Sequence, residues 1–297
     1  MKTRITVAIC TPLKDDGGLD IAGLEAHINE VQRHGMNGLL VAGTMGLMQL
    51  QTEKTYRDLI SHSVRAARGR NELMVGVGDA SFVRTRDRMQ LAEQFAIDGV
   101  VVLSPYLVKF SQPELIDYFR TLADASRIPL YMYDLPGLTG TRIELDTVLQ
   151  LTKHPNIRGI KCSGAWDETR QLMDRVPDTF RVIPAQPHLV DHLIRAGVPD
   201  NLDGIFGIAP NWTAAIAETA EAGNWDLSAR VQKKLSGLLQ LLRHRYNIFD
   251  AAELIFSARG ISGRLSHAPM RQLTKQQKSD FVDEPLVQEL LGTGRCD

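Results

Sequence analysis

Lys161 stands alone in an apolar, small-residue run, IRGIKCSG at 157–164, with Ile160 before it, Cys162 after it and glycines at 159 and 164. Burying an ammonium group in such a run is costly. Either the side chain reaches a wet barrel mouth and pairs with an acid, or the site wants an amine that can lose its proton. Alternation along a strand puts Ile157, Gly159, Lys161 and Ser163 on one face and Arg158, Ile160 and Cys162 on the other. Ile160 and Cys162 suit a helix-covered side, so Lys161 is expected to point the opposite way, with Gly159 leaving space beneath it. In PLYMYDLP (129–136), Tyr131 and Tyr133 share a face by the same rule. A lysine within reach of a phenol, in a pocket walled by Ile, Val and Leu, is expected to favour the neutral amine, because desolvation disfavours the charged form. A neutral amine adds to a ketone and forms a Schiff base.

VAGTMGLMQL (41–50) suggests a second element of chemistry. A tight turn through Gly43 and Gly46 after a strand exposes backbone N–H groups beside the Thr44 hydroxyl, a nest for a small carboxylate. The alternative is an ordinary turn leading into a helix at 52. Histidine contributes little: His188 and His192 follow a strand-like run, but HLVDH lacks the glutamate of a zinc-protease motif, and a solvated helix face is the simpler expectation. No metal site is expected.

These residues need a scaffold that brings strand ends together. Eight β-rich runs recur: 5–13, 38–44, 73–79, 99–105, 129–136, 157–164, 180–186 and 203–209. Most are near-continuous apolar stretches, as in strands covered on both faces. Helical periodicity fills the intervals. LDIAGLEAHINEVQRHG stops at Gly35, and QTEKTYRDLISHSVRAARG has Thr52 as its cap and Gly69 at its end. The pattern predicts an α/β fold, a (β/α)8 TIM barrel over 1–223 with a C-terminal helical extension over 224–297. A doubly wound sheet is the competitor, but TPLKDDGG after the first run is not a phosphate-binding glycine fingerprint. In such a barrel the chemistry collects at the carboxyl ends of the strands.

With 297 residues, 43% hydrophobic, 23% charged and a net charge of −1, the composition is that of a soluble globular protein without a basic footprint for nucleic acid or membrane. Cys10, Cys162 and Cys296 lack the spacing of a disulfide framework or a structural zinc site, and a cytoplasmic location is expected. The tail LGTGRCD is expected to fray.

On four stretches the chain resembles the dihydrodipicolinate synthase / N-acetylneuraminate lyase family of pyruvate-dependent class I aldolases, over nearly its whole length. GTMGLMQLQTEK resembles the family's carboxylate-binding turn, matching at Gly43, Thr44 and Gly46. YMYDLPGLTG resembles the motif that places Tyr133 as the proton-shuttling phenol. IRGIKCSG resembles the strand that carries the Schiff-base lysine, Lys161. GIFGIAPN resembles the glycine-rich eighth strand, whose backbone at Phe206 and Gly207 would line the pocket. The resemblance implies a lyase acting on a 2-keto acid, with pyruvate as product or co-substrate. Lys161 would be the nucleophile, Tyr133 the acid/base, and Thr44 with Met45 the carboxylate site. No cofactor is implied, since the lysine is the electron sink, and a homotetramer is the usual assembly. Asp134, Ser163 and Gln186 are candidates for reading the rest of the substrate.

The chain also departs from the pattern. Met45 replaces a second hydroxyl and Leu47 a glutamate; Leu107 stands where the synthase branch has a second tyrosine, and Leu138 where it has an arginine for the second substrate's carboxylate. Gln186 stands where the lyase branch has acidic residues. The alternatives are therefore the synthase itself, condensing pyruvate with an amino-acid aldehyde, and a catalytically silent barrel that binds a keto acid.

Overall fold

The computed structural model describes residues 3–292. Its strands are β1 (Arg4–Ala8), β2 (Gly38–Val41), β3 (Glu72–Gly76), β4 (Gly99–Leu103), β5 (Leu130–Asp134), β6 (Ile157–Cys162), β7 (Arg181–Pro184) and β8 (Asp200–Asp203). All pair in parallel, in the order β7-β6-β5-β4-β3-β2-β1-β8, and β7 lies against β8 to complete a nearly closed barrel. Every residue of β2, β4 and β5 is buried, as expected of strands covered by helices outside and side chains inside.

The helix starts follow their caps. Asp20 accepts from the Gly23 N–H at the head of Ile21–Arg33, and Thr52 accepts from the Thr55 N–H at the head of Glu53–Ala67. The second helix ends through Arg68 and Gly69 in left-handed conformations. After the helix Pro210–Glu221, Gly223 turns the chain and Asn224 caps Trp225–His244; Ile248–Ala258, Lys275–Val282 and Pro285–Leu291 follow. Trp225–His244 packs on Pro210–Glu221 and on Val190–Arg195. Cys296 and the part of the tail from 293 onward lie outside the described residues.

The eighth strand is not where the apolar pattern predicts it. Ile205–Ile208 is a single buried helical turn, and the strand is the preceding DNLD. Ion pairs anchor that polar strand at its first residue. Arg4 donates to both Asp200 carboxylate oxygens at 2.9 Å, and Arg181 on β7 donates to Asp200 at 2.8 Å and to Glu72 on β3 at 3.1 Å. Arg181 also donates to the Tyr131 hydroxyl at 3.2 Å. These groups floor the barrel at its amino-terminal end and tie β7 to β8, where the ladder is weakest.

Candidate active site

The register of β5 and β6 sets Tyr133 opposite Lys161, and both side chains point into the barrel. Arg158 is exposed, while Ile160 and Cys162 face the helices, as the alternation predicts. Lys161 is only 5% exposed. Its Nζ lies 3.6 Å from the centroid of the Tyr133 ring and donates to Ser163 Oγ at 3.3 Å; it makes no ion pair among the described residues. The wet-edge pairing with an acid is therefore not what the structure shows. Gly159 plays a different part from the one expected. A Cβ there would meet the Tyr131 ring at 2.8 Å and the Arg181 carbonyl at 2.4 Å, so Tyr131 takes the room the glycine leaves.

The Tyr133 hydroxyl lies 3.4 Å from Thr44 Oγ1, which links the phenol to the turn after β2. In that turn the Gly46 N–H bonds the Gly43 carbonyl and the Leu47 N–H bonds the Thr44 carbonyl. The N–H groups of Thr44 and Met45 have no acceptor among the described residues. The turn thus carries two free donors and a hydroxyl, and Thr44 and Met45 line the same cavity as the amine. Ala42 and Leu47, both non-glycine, hold positive φ at 52° and 51° on either side of that pair. The Gly46 carbonyl is tied down from behind, accepting from Gln51 Nε2 at 2.6 Å and from Thr11 Oγ1 at 2.9 Å. Gln51 also donates to Thr11 Oγ1 at 3.0 Å.

Thr44, Met45, Tyr133, Lys161, Ser163 and Gln186 line one cavity of about 420 Å³ at the carboxyl ends of the strands. The Gln186 amide reaches back to the Gly164 carbonyl. Gly43 and Gly46 shape the turn rather than line the cavity, since Cβ atoms there would meet Leu40 at 3.2 Å and Thr11 Oγ1 at 2.9 Å.

Three sequence candidates fall elsewhere. Asp134 alternates outward from Tyr133. Its carboxylate accepts from the Ile143 N–H at 2.9 Å and lines a separate cavity between β5, β6 and their helices, where burial raises its pKa. Phe206 is buried beneath the site, and Gly207 packs against Val7 and His27, because this segment is the helical turn and not the strand. Their places in the cavity are taken by Asp203 and Gly204, just before that turn. Met45 folds over Gly204, where a Cβ would come within 2.5 Å of Met45 Cγ.

Several lining residues gave no sequence signal. His188, set aside as part of a helix face, lines the cavity; burial lowers its pKa, and the nearby Arg243 adds to the effect. His192 instead is exposed and bonds Asp191. Arg243 and Phe249 arrive from the helices beyond the barrel, and Leu135 and Leu138 from the loop after β5. Among the described residues no group of His, Cys, Asp and Glu could hold a metal ion. No helix among them is long and apolar enough to cross a membrane.

The family model described as the Dihydrodipicolinate synthetase family matches residues 1–285. The 4-hydroxy-tetrahydrodipicolinate synthase of Methanothermobacter thermautotrophicus is 30% identical over 262 residues, covering 86% of this chain and 93% of that one. The corresponding synthase 1 of Streptomyces coelicolor is 27% identical over 287 residues, covering 94% and 92%. The crystal structure of dihydrodipicolinate synthase from Acinetobacter baumannii complexed with pyruvate superposes with a TM-score of 0.87 at 23% identity, covering 99% of both chains. A prophage protein of the dihydrodipicolinic acid synthase family from E. coli K12, also in complex with pyruvate, gives 0.87 at 23% identity, covering 97% and 98%. At that identity these two structures show the shared fold.

Proposed function

This chain belongs to the dihydrodipicolinate synthetase family, and from that premise we propose that Lys161, Tyr133 and the turn at Thr44 and Met45 are the machinery of its chemistry. The chain is a pyruvate-dependent lyase of the class I, Schiff-base type. What supports the residue assignment most is one contact chain: Lys161 Nζ against the Tyr133 ring, the Tyr133 hydroxyl against Thr44, and the free N–H groups beside it, all within one cavity.

The amine of Lys161 adds to the C2 ketone of a 2-keto acid, and loss of water leaves an iminium. The substrate carboxylate rests on the Thr44 hydroxyl and the N–H groups of Thr44 and Met45, which sets the angle of attack. The iminium accepts the electron pair of the breaking C3–C4 bond as the C4 hydroxyl loses its proton and leaves as an aldehyde. The enamine is then protonated at C3, and water releases pyruvate and the free lysine. Tyr133 is the group placed to carry protons to and from the carbinolamine and the substrate hydroxyl. Ser163 and Gln186 are left to read the substrate beyond C3. Leu138 stands at the rim beyond Pro136, where the synthase branch has its arginine, so any second carboxylate would have to be held from elsewhere in the cavity.

Incubation with pyruvate and borohydride, followed by digestion and mass spectrometry, is expected to leave a reduced adduct on the Lys161 peptide. Pyruvate binding without an adduct would overturn the assignment. Turnover of pyruvate with the amino-acid aldehyde at a rate matching a 2-keto-3-deoxy acid would restore the synthase reading. An adduct without turnover of any keto acid would favour a silent barrel.

The barrel, 1–223, would then hold the chemistry, and the extension from 224 would close its rim with Arg243 and Phe249. The loop after β4 offers a contact for a second copy in a homotetramer: Leu107 is 88% exposed at a positive φ of 80°, and Val108 beside it is 62% exposed. Phe110 instead packs inward beside Leu115 and Tyr118. Sedimentation velocity should show an oligomer, and a monomer at micromolar concentration would exclude the assembly. The two buried thiols, Cys10 and Cys162, fit a cytoplasmic enzyme.

A further inference from the structure

Arg243 sits in the last turn of the helix Trp225–His244 and reaches the cavity that holds Lys161. Among the described residues its guanidinium has neither an ion pair nor a hydrogen bond, whereas Arg245, two residues on, pairs with Glu284. Leu135, Leu138 and Phe249 line the same cavity, and apolar walls strengthen any ion pair formed there. The cavity thus has the carboxylate nest at Thr44 and Met45, the amine between its walls, and a second, unsatisfied cation.

We infer that Arg243 binds a second carboxylate at the far end of the substrate, so that this chain acts on an acyclic, hydroxylated 2-keto diacid. The inference rests on the Schiff-base reading of the same site. A guanidinium pairs with a carboxylate through two parallel N–H···O bonds, and one cation balances the one charge such an end carries. Asp203, which also lines the cavity, accepts from the Ile205 N–H at 3.0 Å through one oxygen. Its other oxygen is available to accept from a substrate hydroxyl. Among the described residues it forms no ion pair with Arg243, so it leaves the cation free for the ligand. The plain alternative is that Arg243 only complements the helix dipole at a carboxyl terminus.

The test compares two six-carbon 2-keto-3-deoxy acids, one ending in a carboxylate and one in a primary alcohol, on the full chain and on Arg243→Met and Arg243→Lys. The unaltered enzyme is expected to prefer the diacid in kcat/KM. Arg243→Met should lose about 10- to 100-fold on the diacid alone, with Arg243→Lys intermediate. Borohydride trapping of pyruvate on Lys161 should still occur in both variants, with any loss smaller than the loss on the diacid. If the trap fails in the unaltered chain, the Schiff-base reading falls. If the trap works but Arg243→Met weakens both acids equally, or weakens neither, the distal-carboxylate assignment falls alone. A phosphorylated analogue of the alcohol that outcompetes the diacid would also overturn it. If neither acid is turned over, their protection of Lys161 from trapping is compared instead, and equal protection by the two overturns the inference. A drop in Tm with unchanged selectivity would show the dipole role only.

Discussion

Gln51→Leu tests whether the carboxylate nest is held in place from behind. The turn from Ala42 to Leu47 keeps two non-glycine residues at positive φ, each costing roughly 1–3 kcal/mol. Such strain persists only where the surroundings over-determine it. Here the Gly46 carbonyl is gripped by Gln51 and Thr11, and Gln51 also donates to Thr11 Oγ1. Replacing Gln51 with leucine removes two hydrogen bonds worth about 1 kcal/mol net each, while Thr11 remains on the carbonyl. The sum, about 1–3 kcal/mol, is comparable to the strain of one of the two residues, so the turn is expected to relax in part and the Thr44 and Met45 N–H groups to lose their aim. At about 1.4 kcal/mol per factor of ten, pyruvate affinity should fall roughly 5- to 150-fold. The assay is the pyruvate concentration that gives half-maximal borohydride trapping on Lys161, with circular dichroism and Tm as controls for folding. The maximal trapping rate should change much less, since the lysine and Tyr133 are not touched. Gln51→Glu should behave like Gln51→Leu, because a carboxylate cannot donate to the Gly46 carbonyl. A half-saturation value within twofold of the unaltered chain, in a folded variant, would refute the reasoning.

Tyr133→Phe removes a hydroxyl whose one bond among the described residues is the 3.4 Å contact with Thr44, so Tm should hold while kcat falls by about 10²- to 10⁴-fold; an unchanged kcat in a turnover assay would remove Tyr133 from proton transfer. Met45→Thr puts a hydroxyl beside the nest and lifts the methionine off Gly204, so half-saturation for pyruvate in the trapping assay should fall about 2- to 12-fold, one ordinary hydrogen bond's worth. His27 is fully buried, packs its ring at a tilt against Phe256 and has no partner for either ring nitrogen among the described residues; burial, with Arg259 adding, lowers its pKa to about 3. Its folded value lies below the unfolded 6.5, so the unfolded chain binds more protons between those values and stability drains away as pH falls from 6.5 toward 3. At pH 4.5 the loss from this residue should be about 2–3 kcal/mol, and denaturant titrations of His27→Leu should show a flatter acid limb than the parent.

The chain order of apolar runs, caps and glycines was enough to specify the barrel, because strands buried on both faces carry a signal in every residue. Alternation alone turned Lys161 and Tyr133 inward, and it should also have turned Asp134 outward, where the structure finds it. The eighth strand escaped because β8 is DNLD, a polar segment whose first residue, Asp200, is held by Arg4 and Arg181 from the neighbouring strands. The apolar IFGI after it imitated a strand while forming a helical turn, and the expected positions of Phe206 and Gly207 went with it. Gln51, His188 and Arg243 had no readable pattern either. A residue that grips a distant carbonyl, or leans into a cavity from a helix beyond the barrel, is recognisable only once the backbone has brought the two together. The sequence by itself thus determined which way the lysine and the phenol face, through local alternation, and its resemblance to the family named them and the turn as the candidate machinery. Only the tertiary structure decided the far half of the cavity, where Asp203, Gly204, His188, Arg243 and Phe249 meet through contacts that no local spacing records.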